Sequence, residues 1–224
     1  MVNSAAIAAG GIIGVVLKKG ISEEYKETIM DGVALSIMVL GVINAIKTDN
    51  IILMISSLVI GGFIGETISV EKKLDKFGDL IQSKIKNKEN GFVKGFVPAS
   101  LIFCVGAMAI IGSLEAGIIQ NYETLYAKAI LEGISAIVFA TTLGIGVVFS
   151  AIPVFIYQGI ITLLAANLSD LLTVEVINEI SAVGGVLIIG IGLSLLNIKK
   201  IKVGNLLPGI FIPLVFFFLK NLIG

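Results

Sequence analysis

FCVGAMAIIGSLEAG, residues 103–117, has the apolar density of a membrane-spanning helix, yet it carries Gly106, Gly112, Ser113 and Gly117 where a simple anchor would place leucine. It also holds a carboxylate, Glu115. Glycine costs roughly 1 kcal/mol against alanine in a helix interior. A span written this way uses its small residues for close helix contact, or it breaks and exposes backbone groups around a site. Close contact is the first expectation, and a break at Gly112–Ser113 is the sharper one. Glu115 is a site residue if the helix breaks there and a surface residue if it does not.

The rest of the chain puts that stretch in context. Of 224 residues, 56% are hydrophobic and 14% charged, and the mean hydropathy is +1.05. Soluble domains hold about 45–50% apolar and about 25% charged residues, so this composition is that of a membrane protein. A bilayer-spanning helix needs roughly 20 mostly apolar residues. Such stretches recur near 3–17, 28–46, 51–69, 97–119, 125–149, 152–169, 176–198 and 203–222, which predicts an all-α polytopic protein with about eight transmembrane helices. The first is short and rich in small residues (Ser4, Ala8, Gly11, Gly14), and MVNSAAIAAGG lacks the basic start of a cleavable signal peptide.

Charge and chemistry exclude several classes. The net charge is zero, histidine is absent and there is one cysteine, Cys104. Nucleic-acid binding, a disulfide framework, a Cys/His metal site and a His-dependent nucleophile are all unexpected on that basis. No phosphate loop of the G-x-x-x-x-G-K-[ST] type occurs. The protein is therefore expected not to be an enzyme and to need no cofactor or metal.

All sixteen basic residues are lysines. With the N-terminus outside, thirteen of the sixteen fall on inner connections: Lys18 to Lys26, Lys72 to Lys94, and Lys199 to Lys202. Lys47, Lys128 and Lys220 remain outside. Positive charge in short loops sets topology, so both termini are expected outside a prokaryotic inner membrane. The segment SVEKKLDKFGDLIQSKIKNKEN (69–90) repeats Val70, Leu74, Phe77, Ile81 and Ile85 at helical spacing with lysines between them. It predicts an amphipathic linker helix on the inner face.

Two internal matches suggest repeats. At an offset of 151, KGISEEYKETIMDGVALSIMVLG (19–41) and DLLTVEVINEISAVGGVLIIGIG (170–192) align Glu24 with Glu175, Ile29 with Ile180, Ile37 with Ile188 and Gly41 with Gly192. YKETIMDGVALSI (25–37) also aligns with YAKAILEGISAIV (126–138), placing Asp31 beside Glu132. The expected organisation is a first repeat over 1–70, a linker over 71–91, a central hairpin over 92–151 and a second repeat over 152–224. An even number of intervening helices would invert one repeat relative to the other, as in alternating-access transporters.

Polar groups inside a span are costly and mark sites or buried pairs. The candidates for substrate or ion binding are Asp31, Asn44, Ser113, Glu115, Glu132, Thr141 and Gln158. Asp31 and Glu132 each precede a glycine at equivalent repeat positions, an arrangement suited to cation or proton coupling. The plainer reading pairs Glu132 with Lys128 one turn earlier, at the interface.

FCVGAMAIIGSLEAGI (103–118), LEGISAIVFATTLGIGVVFSA (131–151), YQG (157–159) and DGVALSIMVLG (31–41) resemble the YqgA-like bacterial membrane proteins, the family of domain of unknown function 554. That resemblance spans essentially the whole chain. It implies an integral inner-membrane protein of the kind labelled a candidate transporter, and it brings no substrate. The family motif carries Gln-Asp after its Gly-Ser, where this chain has Leu114, Glu115 and Ala116. The resulting expectation is a secondary transporter for a small solute or ion, dimeric, with its site between the second, fourth, fifth and sixth helices. A non-transporting scaffold and a passive channel are the alternatives.

Overall fold

The structure, a computed structural model, describes residues 1–18, 23–76, 92–169 and 171–223. Its elements are α1 (Val2–Lys18), α2 (Glu23–Ala45), α3 (Ile51–Ile68), α4 (Phe92–Cys104), α5 (Ala107–Ile118), α6 (Glu123–Leu143), α7 (Gly146–Phe149), α8 (Ala151–Leu163), α9 (Ala165–Leu168), α10 (Val174–Leu195), α11 (Val203–Leu206) and, after a 3-10 turn at Leu207–Phe211, α12 (Ile212–Ile223). Among the described residues there is no strand. The all-helical membrane fold read from composition is the one the chain adopts. Six helices are long and apolar enough to cross a bilayer among the described residues, or seven if the bent pair α4–α5 is one span. Beside them stands α1, a shorter apolar helix of 17 residues, as its small residues predicted. Of the expected amphipathic linker, 70–76 is helical, and its remainder lies outside the described residues.

The break in the 103–117 stretch falls at Val105–Gly106, not at Gly112–Ser113. There α4 and α5 bend by 58°, and Gly106 takes φ 128°, a conformation that side chains with a Cβ rarely adopt. Gly112 and Ser113 stay helical: Ser113 Oγ donates to its own Ala109 carbonyl at 2.7 Å, and Gly112 lies against Thr124 and Leu125 of α6. Gly112 lets the α5–α6 hairpin close. A second turn at Gly144, φ 75°, ends the expected 125–149 helix at Leu143, so α7 and α8 together form the next span, Gly146–Leu163.

Glycines set the helix pairing. Gly10 meets Gly133 and Ala136, and Gly14 meets Ile137 and Ala140, so α1 and α6 run side by side in the same direction. Gly41 meets Gly185 and Ile189, while Gly192 meets Ala34 and Met38, so α2 and α10 cross in opposite directions. Gly61 against Gly209 and Gly65 against Asn205 set α3 antiparallel to α11 and the 3-10 turn. A side chain at most of these positions would strike backbone, and close backbone approach is what small residues provide where lipid offers no hydrophobic driving force.

Burial orders the helices. In α10, 78% of the span is buried, against 22% in each of α2 and α3, whose outer faces present residues such as Val59 and Phe63 to lipid. Ile37 and Ile188, the pair aligned by the repeat, are both in the main core with Ile7, Phe103 and Val154. Polar contacts tie the ends: Glu179 of α10 accepts from Thr48 Oγ1 at 2.7 Å and from the Asp49 and Asn50 N–H groups at 2.8 and 3.0 Å, fixing the α2–α3 loop. At the opposite end of α3, Glu66 accepts from Lys202 and Asn205, and Glu71 accepts from the Gly204 N–H.

Candidate functional site

On α6, Lys128 and Glu132 are one turn apart and therefore share a face. They form an ion pair and are 5% and 6% exposed. Asn3, in the first turn of α1, donates from Nδ2 to Glu132 Oε2 at 2.8 Å and to Gln158 Oε1 of α8 at 3.1 Å. Asn3 is 2% exposed and Gln158 6%. Three elements thus close one polar cluster, and the parallel packing of α1 on α6 is what brings Asn3 to Glu132. Cys104, the last residue of α4 before the break, stands within electrostatic reach of Glu132 and Lys128.

Position gives the cluster its chemical weight. The 21 residues of α6 extend about 32 Å at 1.5 Å per residue, close to the roughly 30 Å hydrocarbon thickness. Glu132 stands at the middle of that helix, and Asn3 stands in the first turn of α1, so the cluster reaches from mid-α6 toward the N-terminal end of α1. An unpaired charge is costly inside a span, and Lys128 supplies the counter-charge. The plainer expectation of a Lys128–Glu132 pair holds, and the pair is buried beneath α1 and α8. Lys128 is thus buried in the protein and not free in a loop.

The cluster is incompletely satisfied. Asn3 Oδ1, Gln158 Nε2 and Ser4 Oγ are buried without a hydrogen-bond partner among the described residues. Buried polar groups are nearly always paired, so the free Asn3 and Gln158 atoms leave bonding capacity for water or a polar ligand; Ser100 Oγ and Ser181 Oγ are also unpartnered among the described residues. No group of three or more Asp, Glu or Cys side chains is placed to hold a metal ion among the described residues.

The other candidates lie elsewhere. Asp31 is exposed on α2. Asn44 donates to its own Leu40 carbonyl at 3.1 Å and accepts from Lys47 at 3.0 Å. Ser113 is bonded within α5, and Glu115 accepts from Thr124 Oγ1 at 2.7 Å across the α5–α6 hairpin. Thr141 is further along α6 and donates to Val138 at 2.6 Å. Of the seven, the structure brings together Glu132 and Gln158, and it adds α1 in place of α2.

The family described as "Protein of unknown function (DUF554)" matches residues 1–218. The chain belongs to this family. It is 39% identical over 228 residues, 99% of this chain and 96% of the relative, to the "Uncharacterized membrane protein YdfK" of Bacillus subtilis (strain 168). It is 28% identical over 218 residues, 95% of this chain and 93% of the relative, to the "Uncharacterized protein YqgA" of Escherichia coli (strain K12). No solved structure matches the chain. Two residues of this DUF554 chain escaped sequence reasoning. Asn3 stands in the first turn of a glycine-rich helix, and its polarity inside an apolar run was the available signal. Glu179, 1% exposed, was visible as an acid within the α10 span.

Proposed function

We propose that this DUF554 chain is a secondary transporter for a small solute or ion and not an enzyme, with the Asn3–Lys128–Glu132–Gln158 cluster as its central site. The observation that carries the reading is the cluster itself: a neutralised, buried ion pair between apolar helices, with buried polar atoms left unpaired, beside a broken span. Transporter sites are commonly built beside discontinuous helices in the same way.

Inverted repeats are part of the proposal, with 1–70 and 152–224 as the related units. What supports them is the α2–α10 crossing: Gly41 faces residues 185 and 189, and Gly192 faces residues 34 and 38. Adding the offset of 151 to 34, 38 and 41 gives 185, 189 and 192, so the two helices use equivalent faces. The lysine asymmetry supports both termini outside the inner membrane, and the parallel α1–α6 pair agrees with alternate crossing. A homodimer is the proposed assembly, through the open apolar groove that Ala6, Gly10, Ile130, Gly133 and Ile134 line between α1 and α6.

The test is uptake into proteoliposomes over a panel of ions and small solutes, repeated with Glu132→Gln on whichever compound the wild type moves. At least a ten-fold loss of uptake is expected. Unaltered flux in the variant would remove Glu132 from the mechanism, and a wild type that moves nothing would sink the transport reading.

A further inference from the structure

The cluster leaves a complementary pair of groups free. The Asn3 amide uses its nitrogen, which donates to Glu132 and to Gln158. The Gln158 amide uses its oxygen to accept from Asn3. What remains is Asn3 Oδ1, an acceptor, and Gln158 Nε2, a donor, on two side chains already joined to each other. Ser4 Oγ, one residue along α1, is also unpartnered among the described residues and can serve either way.

The charges beside this pair cancel, because Lys128 and Glu132 are in contact with each other. A bare cation would find Asn3 Oδ1 and Ser4 Oγ favourable, but it would face the Gln158 N–H groups and the Lys128 ammonium. An anion would meet the reverse: Gln158 Nε2 and Lys128 attract it, while Asn3 Oδ1 and Glu132 repel it. Burying either ion here would leave its charge uncompensated. A group that both donates and accepts satisfies both free atoms at once. Hydroxyls and primary amides do this.

We infer, resting on the transporter reading above, that the solute is a small uncharged molecule whose hydroxyl or amide donates to Asn3 Oδ1 and accepts from Gln158 Nε2. Specificity follows from the same geometry. A site built around paired hydrogen-bonding groups discriminates strongly against an analogue that cannot pair with them.

Saturation-transfer difference NMR on the purified full-length chain measures binding of four probes of similar size: acetamide, ethylene glycol, acetate and ethylammonium. Acetamide or ethylene glycol is expected to bind, which also tells amide from hydroxyl, and the two ions at least ten-fold more weakly. Gln158→Leu removes Nε2 and is expected to weaken the neutral probe at least ten-fold. Gln158→Glu keeps the shape of the side chain and is expected to exchange that preference for ethylammonium. The inference is overturned by a wild type that prefers acetate or ethylammonium, by neutral binding that survives both Gln158 variants, or by no binding of any probe. Tracer uptake of the same probes into proteoliposomes separates the two readings. Binding without uptake leaves the ligand class standing and removes transport, while uptake of an ion without neutral binding does the opposite.

Discussion

At the residue scale, Lys128 and Glu132 depend on each other. Each is buried, and each would be an uncompensated charge without its partner. Removing one member of a buried pair costs about 3–5 kcal/mol, whereas replacing both by apolar residues of similar volume is often neutral. Lys128→Met is therefore expected to destabilise the protein by about that amount, and Lys128→Met with Glu132→Leu to recover most of it, less the loss of Asn3's bond to Glu132. Unfolding in mixed micelles followed by circular dichroism reads both variants. Glu132 and Gln158 were legible because polar residues stand out in apolar helices. Asn3 was not, because its role comes from a contact 129 residues along the chain. Asp31 shows the converse: repeat alignment made it equivalent to Glu132, but in the structure it is an exposed residue of α2.

At the element scale, the glycines divide by what surrounds them. A Cβ at Gly14 would strike the Ile137 carbonyl and Ala140, whereas at Gly32 it would meet nothing within 4 Å. Overpacking a tight contact costs about 1–3 kcal/mol or more, so Gly14→Val is expected to destabilise by at least about 3 kcal/mol as α1 is pushed from α6. Gly32→Ala is expected to be neutral or to stabilise by up to about 1 kcal/mol through helix propensity. Thermal unfolding of the two variants, side by side in the same detergent, is the measurement. The same division explains what the 103–117 stretch did and did not reveal. Its glycine content announced a departure from a plain span. Which glycine turns the chain depends on the space that packing leaves, and Gly106 and Gly112 look alike in sequence. Gly112 is held against α6, so it stays helical, and the positive φ falls at Gly106.

At the scale of the whole molecule, helix directions constrain topology. The parallel α1–α6 and antiparallel α2–α10 pairs fit a chain that alternates across the bilayer, and the lysine asymmetry proposed above puts its N-terminus outside. Single-cysteine variants in a Cys104→Ala background test this with a membrane-impermeant maleimide on intact cells. Glu123→Cys, at the start of α6, is expected to be labelled, and Lys200→Cys, between α10 and α11, to be labelled only after the membrane is opened. The reverse pattern would invert the orientation. Membrane class and helical architecture were legible from hydropathy alone, since spans need only local composition. Helix pairing was not, because it is decided by which small residues face each other.

The same pairing has a consequence in time. Asn3 is synthesised 129 residues before Glu132. At about 5–20 residues per second, that is an interval of roughly 6–26 seconds. During it α1 has left the ribosome while its glycine face and Asn3 have no α6 to meet. This helix therefore waits in lipid or in the insertion machinery for a partner translated after three further spans. The central cluster cannot exist on the nascent chain before then.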